Sequence, residues 1–288
     1  MDSSTRIEQA LSAALARAET PSAPSKLASA MSYAVFPRGA RVRPRLCLAA
    51  AAACGDDQPA LTDAAAASIE LLHCASLVHD DLPCFDDAAL RRGKPSVHVA
   101  YGERIAVLAG DALIVLAFEQ LAYVPCSPER LPHVMRIVGQ SVGMPGGIAA
   151  GQAWECEPFC NLVEYHEQKT GALFSAATML GAAAAGHDPE PWRAVGAQLG
   201  LAYQVADDLR DAAADEDELG KPVGKDVTLG RPSAVRDLGI DGAMRRLESL
   251  VKGAIAAIPP CPGAGDLRTL ILSEAKRLVP KRLAQVAA

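Results

Sequence analysis

Apolar and small residues recur at three- and four-residue spacings through most of the chain. Across residues 61–79, Ile69, Leu72, Ser76 and Leu77 fall on one stripe, and across 192–211 Leu199, Tyr203, Ala206 and Arg210 repeat the spacing less cleanly. That period is the helical one, not the strict alternation of a half-buried strand. Alternating β-branched runs are almost absent, so a sheet is not expected. Gly and Pro punctuate the pattern at 21–24, 37–39, 54–57, 124–132, 143–147, 186–191, 215–224 and 258–265, where helices should end. The pattern predicts an all-α chain. No shift in composition marks a boundary and no fixed-period repeat is visible, so residues 1–288 are read as a single domain.

Composition sharpens this picture. Half of the residues are hydrophobic but aromatics are scarce, so the core must be built from Ala, Leu and Val. Runs such as Leu48-Ala49-Ala50-Ala51-Ala52-Ala53 and Ala64-Ala65-Ala66-Ala67 leave small side chains that let helices approach closely. The formal charge of −6 argues against a nucleic-acid binder, although a small phosphorylated substrate would need only a local basic cluster. The N-terminus lacks a basic stretch followed by an apolar one, so no secretory signal is expected, and no apolar run reads as long enough to cross a bilayer. The eight scattered cysteines form no CxxC pair and fit a reducing cytoplasm. Cys156 and Cys160, with His166 nearby, lack the second ligand pair of a structural zinc site and are read as free thiols.

Two acidic clusters stand out. One predicted helix ends in His79-Asp80-Asp81-Leu82-Pro83-Cys84-Phe85-Asp86-Asp87, and another carries Asp207-Asp208-Leu209-Arg210-Asp211. Pro83 breaks the first helix, so Asp80 and Asp81 come from its end and Asp86 from the following loop. Asp207 and Asp211 are four apart on one face, with Gln204 on the same stripe. Carboxylates crowded at the end of an apolar helix repel one another, and oxygen-only ligands suit Mg²⁺. Acidic residues at a helix end are often only a solvated surface. Here Arg91-Arg92-Gly93-Lys94-Pro95 follows directly, a basic group placed to meet an anion that metals would bind. Calcium loops of the EF-hand type and Walker or dinucleotide glycine loops are not present, and Gly143-Met144-Pro145-Gly146-Gly147 has no Lys-Ser/Thr after it.

With these motifs the sequence resembles the polyprenyl synthetases, the farnesyl and geranylgeranyl diphosphate synthases, over nearly its whole length. The resemblance is carried in order by Gly39-Ala40-Arg41-Val42-Arg43-Pro44, the first acidic cluster with its basic tail, Lys169-Thr170-Gly171, and Gln204 to Asp211 followed by Leu219-Gly220-Lys221-Pro222-Val223-Gly224-Lys225-Asp226. It implies an isoprenoid-synthase-type helical bundle around a central apolar cavity, a homodimer, and the condensation of isopentenyl diphosphate with an allylic diphosphate. It also implies three magnesium ions per active site, held by Asp80, Asp81 and Asp86 from one side and by Asp207, Asp208 and Asp211 from the other. Arg91 would contact the allylic diphosphate, and Arg43, His73 and Arg92 would grip isopentenyl diphosphate. Lys169, Thr170, Gln204 and Lys221 match positions around the allylic group, and Lys225 and Arg231 belong to a loop that would close over the diphosphate. His79 is then a hydrogen-bonding residue of the helix end, because no protein nucleophile or base is required.

Two departures from the family pattern carry consequences. The family's lysine is Ala40 here, which removes one cationic contact with isopentenyl diphosphate and leaves Arg38 or Arg41 to supply it. Ala88-Ala89 replace further aspartates and should tune metal binding without abolishing it. Retention of both acidic clusters disfavours a non-catalytic regulatory member, and Arg91-Arg92 with Lys169-Thr170 favours chain elongation over terpene cyclisation. Ala75, with Ser76 beside it, lies about 7 Å below Asp80 along the helix, and the resemblance implies that the tail grows along this helix and that an aromatic at this position stops it. The small residue implies geranylgeranyl diphosphate as product, with farnesyl diphosphate as the alternative and Leu71 and Leu72 as the next floor.

Overall fold

The computed structural model describes residues 2–36, 39–158, 164–165, 167–213 and 233–278. Its helices are α1 (Ser3–Ala18), α2 (Ser25–Val35), α3 (Val42–Cys54), α4 (Pro59–Asp80), α5 (Val97–Tyr101), α6 (Glu103–Ala122), α7 (Arg130–Val142), α8 (Ile148–Ala153), α9 (Ala172–Ala184), α10 (Arg193–Ala213), α11 (Ala234–Ala256) and α12 (Ala264–Leu278). Their ends follow local chemistry. Asp2 caps α1 by accepting from the N–H groups of Ser4 and Thr5 at 2.9 and 3.1 Å, and Pro59 opens α4 where a missing N–H is harmless.

Two helices form the centre. α4 packs against α3, α6 and α9, and α9 packs against α3, α4, α7 and α10, while α10 carries α11 on its outer side. Along α9 every residue from Leu173 to Ala184 is buried, the signature of a helix surrounded by others. In α4, Leu61, Ile69, Leu71 and Leu72 are fully buried, each stabilising the fold by roughly 1.5–3 kcal/mol, and the alanines between them admit the neighbouring backbones.

The expectation that no apolar run could span a bilayer needs correction. By length and composition α4 and α6 both could. In α4 that apolar character serves the core, since 83% of its apolar window is buried inside the fold; in α6 only 44% is, and Val107, Leu108 and Val115 face outward.

One strand pair also departs from the all-helical expectation. Leu90–Arg91 (β1) and Lys94–Pro95 (β2) form a two-residue antiparallel hairpin. Arg92 and Gly93 both have positive φ, 53° and 74°, as a tight hairpin turn requires. The hairpin presents the basic tail of the first acidic cluster as a fixed loop.

Arg41 is a structural residue. Its left-handed backbone (φ 50°) turns the side chain inward, where Nη1 donates to Glu70 Oε1 at 2.8 Å, Nε to Glu8 Oε1 at 3.0 Å and Nη2 to the Val35 carbonyl at 2.9 Å. One guanidinium thus ties α1, α2 and α4 together, and it cannot replace the lysine missing at Ala40. Arg38, the other candidate, lies outside the described residues. We expect Glu70→Gln, which keeps the shape but uncouples the charge, to cost about 2 kcal/mol, read as a lower denaturant midpoint at unchanged slope.

Candidate active site

The first cluster is built by the end of α4. Asp81 donates its N–H to the Leu77 carbonyl at 3.1 Å, and the chain then folds back so that the Asp86 N–H donates to the Asp80 carbonyl at 2.9 Å. This turn brings Asp86 back toward Asp80 and Asp81, although among the described residues no three such groups stand together as a ready-made metal site. Asp80 and Asp81 are buried, and desolvation raises both carboxyls above the ordinary range, opposed at Asp80 by Lys169 and Gln152 and at Asp81 by Arg91. Arg91 forks onto Asp81, its Nε 3.0 and 3.2 Å from the two oxygens and its Nη2 closer still to Oδ1. Asp80 Oδ1 accepts from Gln152 Nε2 at 3.0 Å and lies 3.7 Å from Lys169 Nζ.

Lys169 and Thr170 connect this cluster to the second one. They occupy a π-helical turn, Glu167–Gly171, that packs against α8, α9 and α10. While Lys169 reaches Asp80, its neighbour Thr170 donates from Oγ1 to Gln204 Oε1 at 3.0 Å, one turn before Asp207 on α10. Adjacent residues about 3.8 Å apart therefore touch both acidic helices. On α10, Asp207 Oδ1 accepts from Arg210 Nη2 at 2.8 Å, and Asp208 Oδ2 accepts from the Ala234 N–H at 2.7 Å, capping the start of α11. Asp211 is half-buried on the same helix. Lys221, Lys225 and Arg231 lie outside the described residues, as do Cys160 and His166 of the zinc pattern declined above.

A cationic corner adjoins the first cluster. Arg43 stacks over the Phe174 ring, Cζ 4.6 Å from its centroid, and its buried Nε has no hydrogen-bond partner among the described residues. The Arg92 guanidinium lies on the backbone of Gly39, where a Cβ would come within 2.6 Å of Cζ. A side chain there would push the guanidinium aside. Among the described residues neither Arg43 nor Arg92 forms an ion pair with a carboxylate. Desolvation and then the fields of Arg43, Arg92 and Arg91 push the His73 imidazole well below its usual range, so it is neutral near pH 7. Two guanidiniums without an ion pair among the described residues, beside a neutral imidazole, make a receptor for an anion.

Ala40 is exposed at the edge of this corner. An added ammonium there would be solvent-screened, so Ala40→Lys is expected to lower the Michaelis constant for isopentenyl diphosphate about two- to fivefold. That for the allylic partner should hardly move, and steady-state kinetics with each substrate varied in turn will show whether it does.

The remaining sequence candidates are placed as follows. Ala75 is fully buried within α4, and Ser76 beside it turns its hydroxyl to the His73 carbonyl at 2.9 Å. His79 faces α6, with Nε2 3.4 Å from the Val107 carbonyl and 3.5 Å from Asp111.

With this geometry in place, similarity to known proteins becomes decisive. Residues 24–254 match the polyprenyl synthetase family. The chain belongs to that family. It is 56% identical over 98% of both chains to a geranylgeranyl diphosphate synthase of Cereibacter sphaeroides, and 51% identical over 95% of both chains to one of Rhodobacter capsulatus. Among solved structures, a geranyltransferase of Helicobacter pylori complexed with magnesium and isoprenyl diphosphate matches with a TM-score of 0.80 at 31% identity, covering 95% of this chain and 96% of that one. The helical fold of these isoprenoid synthases is the fold seen here.

Sequence reasoning passes over two residues that this polyprenyl synthetase brings into the site, Gln152 and Glu155. Gln152 bonds to Asp80, and Glu155 takes the Lys169 ammonium and the Tyr165 hydroxyl, the latter at 2.6 Å. Their only sequence signal is a Gly-Gln-x-x-Glu run after the glycine-rich turn, which carries no charge pattern of its own.

Proposed function

We propose that the chain is a magnesium-dependent geranylgeranyl diphosphate synthase, condensing isopentenyl diphosphate with an allylic diphosphate. The observation that carries this reading is the Lys169–Thr170 bridge, which joins two acidic helix faces next to a cationic corner that has no counter-ion among the described residues. Names of relatives above 50% identity support the product assignment.

The donor set suits a hard cation. Every candidate ligand is a carboxylate, and Asp80 Oδ2 takes no hydrogen bond from a described residue. Asp80, Asp81 and Asp86 would hold magnesium from α4 and its turn, and Asp207, Asp208 and Asp211 from α10, with three ions per site as the proposed count. Magnesium supplies charge neutralisation of the leaving diphosphate. Arg91 would release one of its contacts with Asp81 to meet that diphosphate. Arg43, Arg92 and neutral His73 would hold isopentenyl diphosphate, so that its double bond faces the allylic carbon. The Thr170 hydroxyl, its proton engaged by Gln204, presents only lone pairs to developing positive charge, while the Gln204 amide is fixed by the same bond. Lys169 supplies a positive charge beside the allylic diphosphate. The departing diphosphate then accepts the proton lost from the new chain, and no side chain is needed as base.

As part of the same reading the chain forms one helical domain and works in the cytoplasm as a homodimer, with the outward apolar residues of α6 as the contact. Light scattering of the native protein and of Val115→Glu will test the dimer.

The deciding experiment incubates purified protein with labelled isopentenyl diphosphate and dimethylallyl, geranyl or farnesyl diphosphate, with magnesium or with chelator. Label in geranylgeranyl diphosphate only when magnesium is present is the expected result. No incorporation with any starter would overturn the reading, and a product ending at farnesyl diphosphate would overturn the chain-length assignment alone.

A further inference from the structure

The segment from α8 through its following 3₁₀ turn, Trp154–Cys156, touches both charged groups at the end of α4 without belonging to either acidic cluster. Gln152 Nε2 has two acceptors, Asp80 Oδ1 at 3.0 Å and the Ser76 carbonyl at 3.2 Å. A carbonyl can only accept, so the amide nitrogen must face this side, and its second hydrogen is fixed on Asp80. That bond occupies Oδ1 and turns Oδ2 away from the segment.

Glu155 restrains the neighbouring ammonium. Its Oε1 holds Lys169 Nζ in a short contact and also accepts from Tyr165, while Lys169 stays 3.7 Å from Asp80. Without Glu155 the ammonium would have Asp80 as its nearest counter-ion and would compete for the carboxylate. The segment itself is pinned to the Lys169 turn. A Cβ on Gly151 would lie 2.4 Å from the Lys169 backbone nitrogen, and Trp154 Nε1 donates to Gln168 Oε1 at 2.9 Å.

We infer that Gln152 and Glu155 are positioning residues for the metal site: Gln152 orients the Asp80 carboxylate, and Glu155 holds Lys169 off it. The inference rests on the reading of Asp80 as a magnesium ligand. Groups that orient a metal ligand commonly contribute 10- to 100-fold to metal affinity.

The test is calorimetric titration of magnesium into the full-length protein with saturating non-hydrolysable allylic diphosphate analogue, for wild type, Gln152→Leu, Gln152→Glu and Glu155→Gln. Thermal midpoints are recorded without metal. Each variant should need about tenfold more magnesium for half-saturation, at a midpoint close to wild type. Gln152→Glu keeps the length but replaces the donor by a second anion, so it should be no better than Gln152→Leu in orienting Asp80. Unchanged magnesium affinity in the Gln152 and Glu155 variants overturns the inference, and so does a loss of affinity that scales only with lowered stability. Parallel incorporation of isopentenyl diphosphate by the wild type judges the functional reading separately, because the binding titration does not depend on turnover.

Discussion

Asp80→Ala is expected to fold normally and to lose turnover by on the order of 10²- to 10³-fold. The two halves of that expectation have the same cause. Asp80 is buried, and desolvation raises its pKa despite Lys169 and Gln152, so in the empty protein its charge is a burden. Removing it opens no apolar cavity and relieves that burden, which offsets the acceptor lost to Gln152, so the thermal midpoint should stay level or rise slightly. Turnover falls because the leaving diphosphate then faces one fewer anchored positive charge at the moment the carbon–oxygen bond ionises. Asp207→Ala should lose activity as well, but for a residue half-exposed and already paired with Arg210 the gain in stability is not expected. Single-turnover rates and melting curves on the same preparations check both statements. Full turnover in Asp80→Ala with magnesium supplied would remove the metal site from the mechanism.

The second large effect concerns product length. Ala75→Tyr should convert a mainly geranylgeranyl product into a mainly farnesyl one, because a ring one turn and a half below Asp80 would block the growing tail sterically. The structure adds a constraint. Ala75 is fully buried, and neither the cavity behind Phe174 and Tyr203 nor the one between α2, α4 and the β1–β2 hairpin is lined by it. The ring must therefore displace neighbours, at a cost of about 1–3 kcal/mol in stability. Chromatography of products from wild type and variant reads the outcome, and identical product distributions would exclude Ala75 from length control.

The long helices were legible because their periodicity is set by burial. Predicted residues 61–79 and 192–211 became Pro59–Asp80 and Arg193–Ala213, within the usual uncertainty of helix ends. The β1–β2 hairpin was not legible, since strands of two residues carry no alternation and its turn signal, Arg92-Gly93, reads first as a basic motif. Arg41 was open to misreading for another reason. Its neighbours in sequence suggest a substrate contact, but a left-handed backbone and partners 29 and 33 residues away decide where the guanidinium goes. The reading that no apolar run is long enough to cross a bilayer missed α4 and α6 because the alanines and scattered charges within them mask a high mean hydropathy. In the site, charged clusters announced themselves, whereas Gln152 acts through one amide group and leaves no pattern to find.

The guanidiniums of Arg43 and Arg92, which form no ion pair among the described residues, also bear on how long the protein survives. Like charges held together without counter-ions raise the free energy of the empty native state, and an occupying anion removes that repulsion only in the folded chain. Ligand at a hundred times its dissociation constant would add about 2.7 kcal/mol to the unfolding free energy through mass action alone. The transiently open population available to proteases falls by the same factor, about a hundredfold. Abundance of the chain would then rise with supply of its own diphosphate substrate, and pulse proteolysis with and without inorganic pyrophosphate would measure that coupling directly.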